Sequence, residues 1–384
     1  MNYTTFSRWS QWGLVVAMLG LGGQAMGQAK APKEETKSPL KFSGDLRLRW
    51  ESNFKVPGQR DRHRQRMRFR LNLDHEFNEQ IGLHARVRTG NPNTPTSPYQ
   101  DLGGGFNNFE FNLSRLYVTY SPEQVKGFTL VAGKFGHPAK RNPVYGELVF
   151  DADLNPEGIA GVYSGKVEDS VITNYRFIAG EYMVLEQSGA EDATAFFAEA
   201  AADLQFNDEM KGAASLAFYY FGDQSPDGST ALVSANRGNA TTGGTPNDFS
   251  SRFTLIHPIF SFTYTGMENP LTVGLEFFLN TDAADSVDDT GWALGIAYGS
   301  PKKPLGKFYY QYMVVGQDSV YSPLVQDDFL LATNFTGHVF GWKKGLMKNL
   351  GMHLWGSAVS LEDGSTSAND DLRWRFRADF TFKF

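Results

Sequence analysis

The segment QRDRHRQRMRFRLNLDHEF, residues 59–77, sets Arg60, Arg62, Arg64, Arg66, Arg68 and Arg70 at every second position. The positions between them turn apolar along the run, with Met67, Phe69, Leu71, Leu73 and Phe77. A period of two belongs to an extended strand whose two faces meet different surroundings, because a helix does not segregate alternate residues. A basic run suggests a polyanion-binding patch. The whole chain, however, carries a formal charge of -6, which argues against nucleic acid as the partner.

The alternation recurs along the chain. DLRWRFRADFTFKF, residues 371–384, places Leu372, Trp374, Phe376, Ala378, Phe380, Phe382 and Phe384 on one face and Arg373, Arg375, Arg377, Asp379 and Lys383 on the other. KFSGDLRLRWE, residues 41–51, sets Phe42, Leu46, Leu48 and Trp50 against Asp45, Arg47, Arg49 and Glu51. Such runs predict strands at about 41–52, 62–77, 80–90, 109–120, 127–135, 158–165, 171–181, 194–206, 211–221, 252–265, 270–280, 290–299, 306–316, 333–343, 349–360 and 371–384. That makes about sixteen; less regular runs at 127–135, 158–165 and 252–265 leave 14 or 18 open.

The first residues look exported. Arg8 precedes an apolar core from about Gly13 to Leu21, followed by small residues, which predicts a signal peptide over 1–29 cleaved after Gly27 or Ala29. The core is shorter than the roughly 20 residues that span a bilayer. Residues 30–40 form a polar lead-in and 41–384 the folded part, with no second domain. The absence of cysteine fits an oxidising compartment. The mean hydropathy of -0.37 looks soluble, but a membrane barrel, half polar by construction, scores the same.

Alternation alone suits a soluble β-sandwich as well as a barrel. Three features favour the barrel: aromatics near strand ends, strands longer than the globular mode of about 5–6 residues, and alternating connection length. Connections after even-numbered strands are short, such as NEQ and NDEM, whereas 91–108, 136–157, 222–251 and 317–332 are long. The expectation is an all-β chain forming a single transmembrane antiparallel β-barrel, with short periplasmic turns and long extracellular loops. An arginine on the lipid face at mid-bilayer costs about 2–4 kcal/mol, and several would rival the roughly 5–15 kcal/mol that holds a domain together. The arginines therefore face a watery lumen.

With the exported start and a final strand ending in Phe384, the chain resembles Gram-negative outer-membrane porins, in which a terminal Phe is part of the assembly signal. GKFGHPAKRNPVYGELVFDADLNPEGIAGVY, with Asp151, Asp153, Asn155, Pro156, Glu157 and Gly158, is similar to a stretch of the bacterial putative-porin family. Outside that segment the resemblance spans the mature chain by pattern rather than by identities. It implies an outer-membrane channel for passive diffusion of small hydrophilic solutes, a homotrimer, and contact with outer-membrane lipid, lipopolysaccharide and the outer-membrane assembly machinery. It implies no particular solute.

Within that frame Arg47, Arg49, Arg62, Arg64, Arg66, Arg68, Arg70, Arg86, Arg88, Arg373, Arg375 and Arg377 form one basic wall over adjacent strands. Successive arginines on a strand stand roughly 6.8 Å apart and repel by roughly 0.6 kcal/mol in water, so acidic partners are expected. The long third loop carries Glu147, Asp151, Asp153 and Glu157. As in general porins, by resemblance, it is expected to fold into the lumen and set these acids against the wall, giving a transverse field that favours charged solutes, anions foremost.

Other chemistries find little support. DADLNPEG begins like an EF-hand loop, but Pro156 replaces the sixth-position glycine and no glutamate follows at the twelfth. The acidic loop with Asp282, Asp285, Asp288 and Asp289 reads as solvated charge. The histidines show no H-E-x-x-H spacing and no serine sits in G-x-S-x-G. His63, His75 and His84 read as polar wall residues. No catalytic residue, metal or cofactor is expected. The alternatives are an anion- or phosphate-specific channel, a non-conducting outer-membrane barrel with a surface-binding or structural role, and an exported soluble β-protein.

Overall fold

The alternating runs become strands because each offers a continuous apolar face outward. The computed structural model describes residues 40–186, 188, 192–222, 235–242, 248–285, 287–362 and 372–384. The expected signal peptide, and the lead-in up to residue 39, lie outside the described residues. From Leu40 onward the barrel strands are β1 Leu40–Phe54, β2 Arg62–Glu76, β3 Ile81–Thr89, β4 Phe111–Tyr120, β5 Phe128–Lys134, β6 Glu157–Lys166, β7 Ile172–Leu185 and β8 Ala193–Gln205. The second half follows with β9 Met210–Gly222, β10 Phe253–Tyr264, β11 Leu271–Asn280, β12 Thr290–Ser300, β13 Gly306–Val315, β14 Phe335–Met347, β15 Leu350–Leu361 and β16 Arg373–Lys383. Every strand is antiparallel to its sequence neighbour, and β16 closes on β1, from Asp45 opposite Lys383 to Phe54 opposite Trp374. These sixteen strands form a closed antiparallel barrel, as the even count requires. Among the described residues no helix is long and apolar enough to cross a membrane.

Facing follows the alternation. On β2, Arg66 and Arg68 are buried against the lumen contents, while on β1 Trp50 keeps 60% and Leu48 42% of its surface open to the outside. Turns after even-numbered strands are short, at 77–80, 206–209 and 348–349, and share a rim with the start of β1 and the end of β16. The long connections crowd the other rim: L2 is 90–110, L3 is 135–156 and L7 is 316–334.

L2 repairs a gap in the wall. β2 pairs with β3 only from Arg70 to Glu76, which would leave the upper edge of β2 open. A two-residue strand, Gln100–Asp101, pairs with Met67 and Arg66 there, Leu102 N donates to Gln65 O at 2.9 Å, and Phe69 N donates to Thr89 Oγ1 at 2.9 Å. Backbone groups exposed to lipid are costly, which explains the extra strand.

L3 and L7 both enter the lumen. L3 crosses to the far wall: Tyr145 N donates to Gln311 Oε1 on β13 at 3.1 Å, Lys140 N donates to Glu199 Oε2 on β8 at 2.6 Å, and Asn142 Nδ2 reaches Glu276 on β11. Val144 lies over Gly295, where a Cβ would meet it at 2.7 Å. In L7, Asp318, Val320, Tyr321 and Ser322 are fully buried. Together they build an apolar cluster inside the barrel, in which Leu148, Phe150, Phe197, Tyr219, Phe221, Tyr321 and Phe335 pack. The lumen is therefore two-sided, aromatic along β7–β14 and basic along β16–β4.

The closing seam supplies one test of the fold. Gly44 N and Phe384 O, and Phe384 N and Gly44 O, bond at 3.0 and 3.2 Å. A Cβ on Gly44 would sit 2.3 Å from Arg70 O and 2.5 Å from the Phe384 ring. Gly44→Val is expected to lower the yield of folded barrel, checked by the fraction migrating as the compact, heat-modifiable band before boiling.

Candidate functional site

The register across β16, β1 and β2 sets acids against arginines. Asp45 stands opposite Arg70, Glu51 opposite both Arg64 and Arg377, and Arg49 opposite Asp379. The side chains complete these pairs. Arg49 Nε donates to Asp379 Oδ1 at 2.7 Å and its Nη2 to Oδ2 at 2.8 Å, a two-point grip. Asp45 accepts from Arg68 Nη2 at 2.6 Å and from Arg70 Nη2 at 2.7 Å. Glu51, fully buried, accepts from Arg64 Nε at 2.8 Å and Arg377 Nε at 2.7 Å, with Arg66 and Arg49 at 3.7 and 3.8 Å.

Register also opposes like charges, Arg47 to Arg68 and Arg49 to Arg66. Opposite Cβ atoms in a sheet are about 5 Å apart. Unit charges at that spacing repel by about 0.8 kcal/mol in water and about 3 kcal/mol at an effective dielectric of 20. Two groups from L2 relieve them: Asp101 takes Arg66 Nε at 2.7 Å and bridges to Arg62 and Arg64 at 3.3 and 3.2 Å. Tyr99 lies under the Arg49 guanidinium, 4.0 Å from ring centre to Cζ, with Arg66 and Arg68 at 5.0 and 5.6 Å.

The third-loop acids divide. Asp153 reaches the wall, 3.5 Å from Arg70 Nη1, and its carbonyl accepts from Arg88 Nη1 at 3.2 Å. Asp151 does not: its Oδ1 caps Asp153 N at 2.6 Å and its N donates to Leu324 O of L7. Glu147 sits at the L3–L7 junction, where its carbonyl accepts from Gln326 N at 3.3 Å. Glu157 requires a correction. It is the first residue of β6, on the outward face with Met183, and its partner is Lys134 on β5. The strand begins one residue earlier than the expected 158, so Glu157 belongs to β6 and not to L3.

L7 supplies the acids that the sequence reading assigned only to L3. Asp328 pairs with Arg377 and accepts from Tyr145 Oη at 3.1 Å, and the carbonyls of Asp327 and Asp328 accept from Arg375 Nη1 at 2.8 and 2.7 Å. Burial pushes the Asp328 carboxyl up, but Arg377 and Arg49 outweigh it and hold it at about 2. Burial, then the neighbouring charge of Asp328, push Glu147 up to about 7. Arg373 is buried, and its Nε has no partner among the described residues.

Between wall and loops lies a cavity of about 700 Å³. It is lined by Arg47, Arg49, Arg68, Arg70, Arg377 and Lys343 from the wall and by Glu147, Asp151, Asp153, Asp327 and Asp328 from L3 and L7, down to Lys302 and Lys344 at the short-turn rim. Of the histidines, His84 bonds Asp74 at 2.7 Å on the inward face, whereas His63, whose Nδ1 bonds Ser52 Oγ at 2.9 Å, shares the outward parity of Met67 and Phe69. Among the described residues no group of three or more His, Asp or Glu is arranged to hold a metal. In DADLNPEG, Asp153 is engaged by Arg70 and the Asn155 side chain by Arg115.

Glu147 gives a pH test. The folded protein keeps its proton where an unfolded chain, with an ordinary carboxyl near 4.5, has lost it. Stability therefore falls as pH rises from about 4.5 to about 7 and is flat above. Ionisation also adds negative charge to the cavity. Raising the pH through 7 is expected to move the reversal potential in a salt gradient toward cations, and Glu147→Gln to remove that step.

Asp45, Glu51, Tyr99, Asp101, Arg115, Asp328 and Asp379 were not singled out as site residues from the sequence. Asp45, Glu51 and Asp379 were legible on the inward side of the alternation, but pairing them required the register. The apolar filling had a signal too: LAFYYF, residues 216–221, is apolar on both faces, so something had to cover the inner one.

Among solved structures, that of Pseudomonas putida OprB is similar over 100% of both chains, with a TM-score of 0.60 at 12% identity. A loop L8 deletion mutant of OmpT, an outer membrane protein of Vibrio cholerae, matches 90% of this chain and 99% of its own at 0.54 and 12%. Salmonella typhi OmpF in complex with daunomycin matches 90% and 97% at 0.53 and 11%. Such identities speak for the fold alone. No curated protein matches the chain. The family model described as putative porin matches residues 55–252, more than half of the 384, and reaches from the arginine strand through the third loop. The chain belongs to the putative porin family, as a sixteen-stranded barrel of the outer-membrane porin type.

Proposed function

We propose that this barrel sits in the bacterial outer membrane and passes small hydrophilic solutes by diffusion through the two-walled cavity, with a preference for anions. One observation carries the preference: the cavity's basic side, with Arg47, Arg49, Arg68, Arg70, Arg377 and Lys343, is extended to the short-turn rim by Lys302, Lys344 and Lys383. An anion entering from that rim meets cations first. The arginine wall and the loop acids are its site, and it works as a channel rather than as an enzyme. Export by a signal peptide cleaved after Gly27 or Ala29, a lead-in to residue 40, assembly through Phe384, embedding in lipid and lipopolysaccharide, and a homotrimer complete the reading.

The test is conductance of purified protein in a planar bilayer under a potassium chloride gradient. Stable channels with a reversal potential on the chloride side are expected. Folded protein that gives no channels would overturn the reading in favour of a second one, a non-conducting barrel, to which the complete burial of Asp318, Val320, Tyr321 and Ser322 in L7 lends support.

A further inference from the structure

The arginines of β3 and β4 are held differently from the rest of the wall. Arg70 stands opposite Arg88, and Arg86 opposite Arg115, so cations face cations across two successive rows. Of these four, Arg70 alone has carboxylates within 4 Å among the described residues, Asp45 and Asp153. The other three hold neutral oxygens. Arg86 Nε donates to Asn72 Oδ1 at 2.6 Å, Arg115 Nε to Asn155 Oδ1 at 2.5 Å, and Arg88 to the carbonyls of Asp153 and Pro95 at 3.2 and 3.0 Å.

Like charges set directly opposite are destabilising, and each guanidinium carries five donors in a planar fork. Arg86 and Arg115 use one donor each in these bonds and are half-buried, so most of their donors remain for the lumen. The end of L3 that leads into β6 covers three of the four: the Asp153 carboxylate on Arg70, the Asp153 carbonyl on Arg88 and the Asn155 amide on Arg115. A carboxylate and an amide oxygen tethered over these arginines occupy the place that a free oxyanion fits, since planar forks match carboxylate and phosphate oxygens in two-point contacts.

We propose that Arg86 and Arg115, flanked by Arg70 and Arg88, form a binding station for a permeating oxyanion, a carboxylate or phosphate group, and that Asp153 is a built-in competitor which shortens its stay. This rests on the anion-passing channel proposed above and adds a specific stop along it.

The experiment measures chloride current through single channels while inorganic phosphate, or in a separate arm acetate, is added at fixed potassium chloride. Both are expected to reduce the current of the unaltered protein in a saturable way. The double variant Arg86→Gln/Arg115→Gln is expected to raise the half-blocking concentration about tenfold or more, the scale of one lost charge-assisted contact. Asp153→Asn is expected to lower it several-fold, which keeps the test open should the double variant fold poorly. Block by phosphate alone assigns the station to phosphate groups, and block by both to oxyanions in general. An anion-preferring channel that neither anion blocks, or whose block is unmoved by all of these changes, would overturn the station and leave the channel reading standing. A cation-preferring reversal potential in the unaltered protein would overturn the channel reading itself.

Discussion

Glu51→Ala is expected to be the most damaging single change in the wall. Glu51 is fully enclosed, and four guanidinium groups, those of Arg64, Arg377, Arg66 and Arg49, lie within 4 Å of its carboxylate. Removing one partner of a buried charge network leaves the others uncompensated, which costs about 3–5 kcal/mol. Here the cluster joins β16, β1 and β2, the strands that close the barrel. The temperature at which the compact band converts to the unfolded one on a gel should fall markedly. The isosteric Glu51→Gln should recover part of the loss, because an amide still accepts from Arg64 and Arg377. A conversion temperature unchanged in Glu51→Ala would mean that water, not Glu51, compensates these arginines.

Neutralising Arg66, Arg68 and Arg70 together should change the sign of ion selectivity. Arg68 and Arg70 are the two partners of Asp45, and Arg66 is the closest partner of Asp101. With glutamine at all three positions the wall loses three positive charges, Asp45 turns from neutralised to free, and Asp101 keeps only Arg62 and Arg64, at 3.3 and 3.2 Å. The same cavity is also lined by Glu147, Asp153 and Asp328. The reversal potential in a potassium chloride gradient should move from the chloride side to the potassium side. An unchanged potential in folded protein would show that these residues do not line the narrow part. Asp45→Asn is expected to move it the opposite way, further toward chloride.

How much of this was legible differs from element to element. The strand faces needed nothing beyond periodicity and one energy comparison, since no arrangement puts Arg62 to Arg70 in lipid at tolerable cost. The count of sixteen, the short-turn rim and the inward third loop followed from the same pattern and from the family resemblance. Glu157 went astray because the start of β6 could not be told from the end of L3 by composition: in NPEG the strand starts at Glu157 itself. L7 went unnoticed as a lumen element because its polar, turn-forming residues, QDSVYSPLVQDD, look like any external loop. Its burial depends on Arg237, whose guanidinium gathers the carbonyls of Ser322, Val325 and Gln326 from a distant part of the chain.

The sequence by itself determined the class of fold, the facing of each strand and the location of the arginines on the watery side, because these depend on a period of two and on the transfer energy of charge, both local properties. Only the tertiary structure decided which arginines are neutralised. Asp45, Glu51 and Asp379 meet their partners through strand register, and register depends on how neighbouring strands pair and close the barrel, which no single strand encodes. The same register leaves Arg86 and Arg115 facing each other with no carboxylate within 4 Å among the described residues, and gives the row of six equal charges unequal partners. Arg64, Arg66, Arg68 and Arg70 meet Glu51 or Asp45 on β1, Arg62 meets Asp101 of L2, and Arg70 also meets Asp153 of L3.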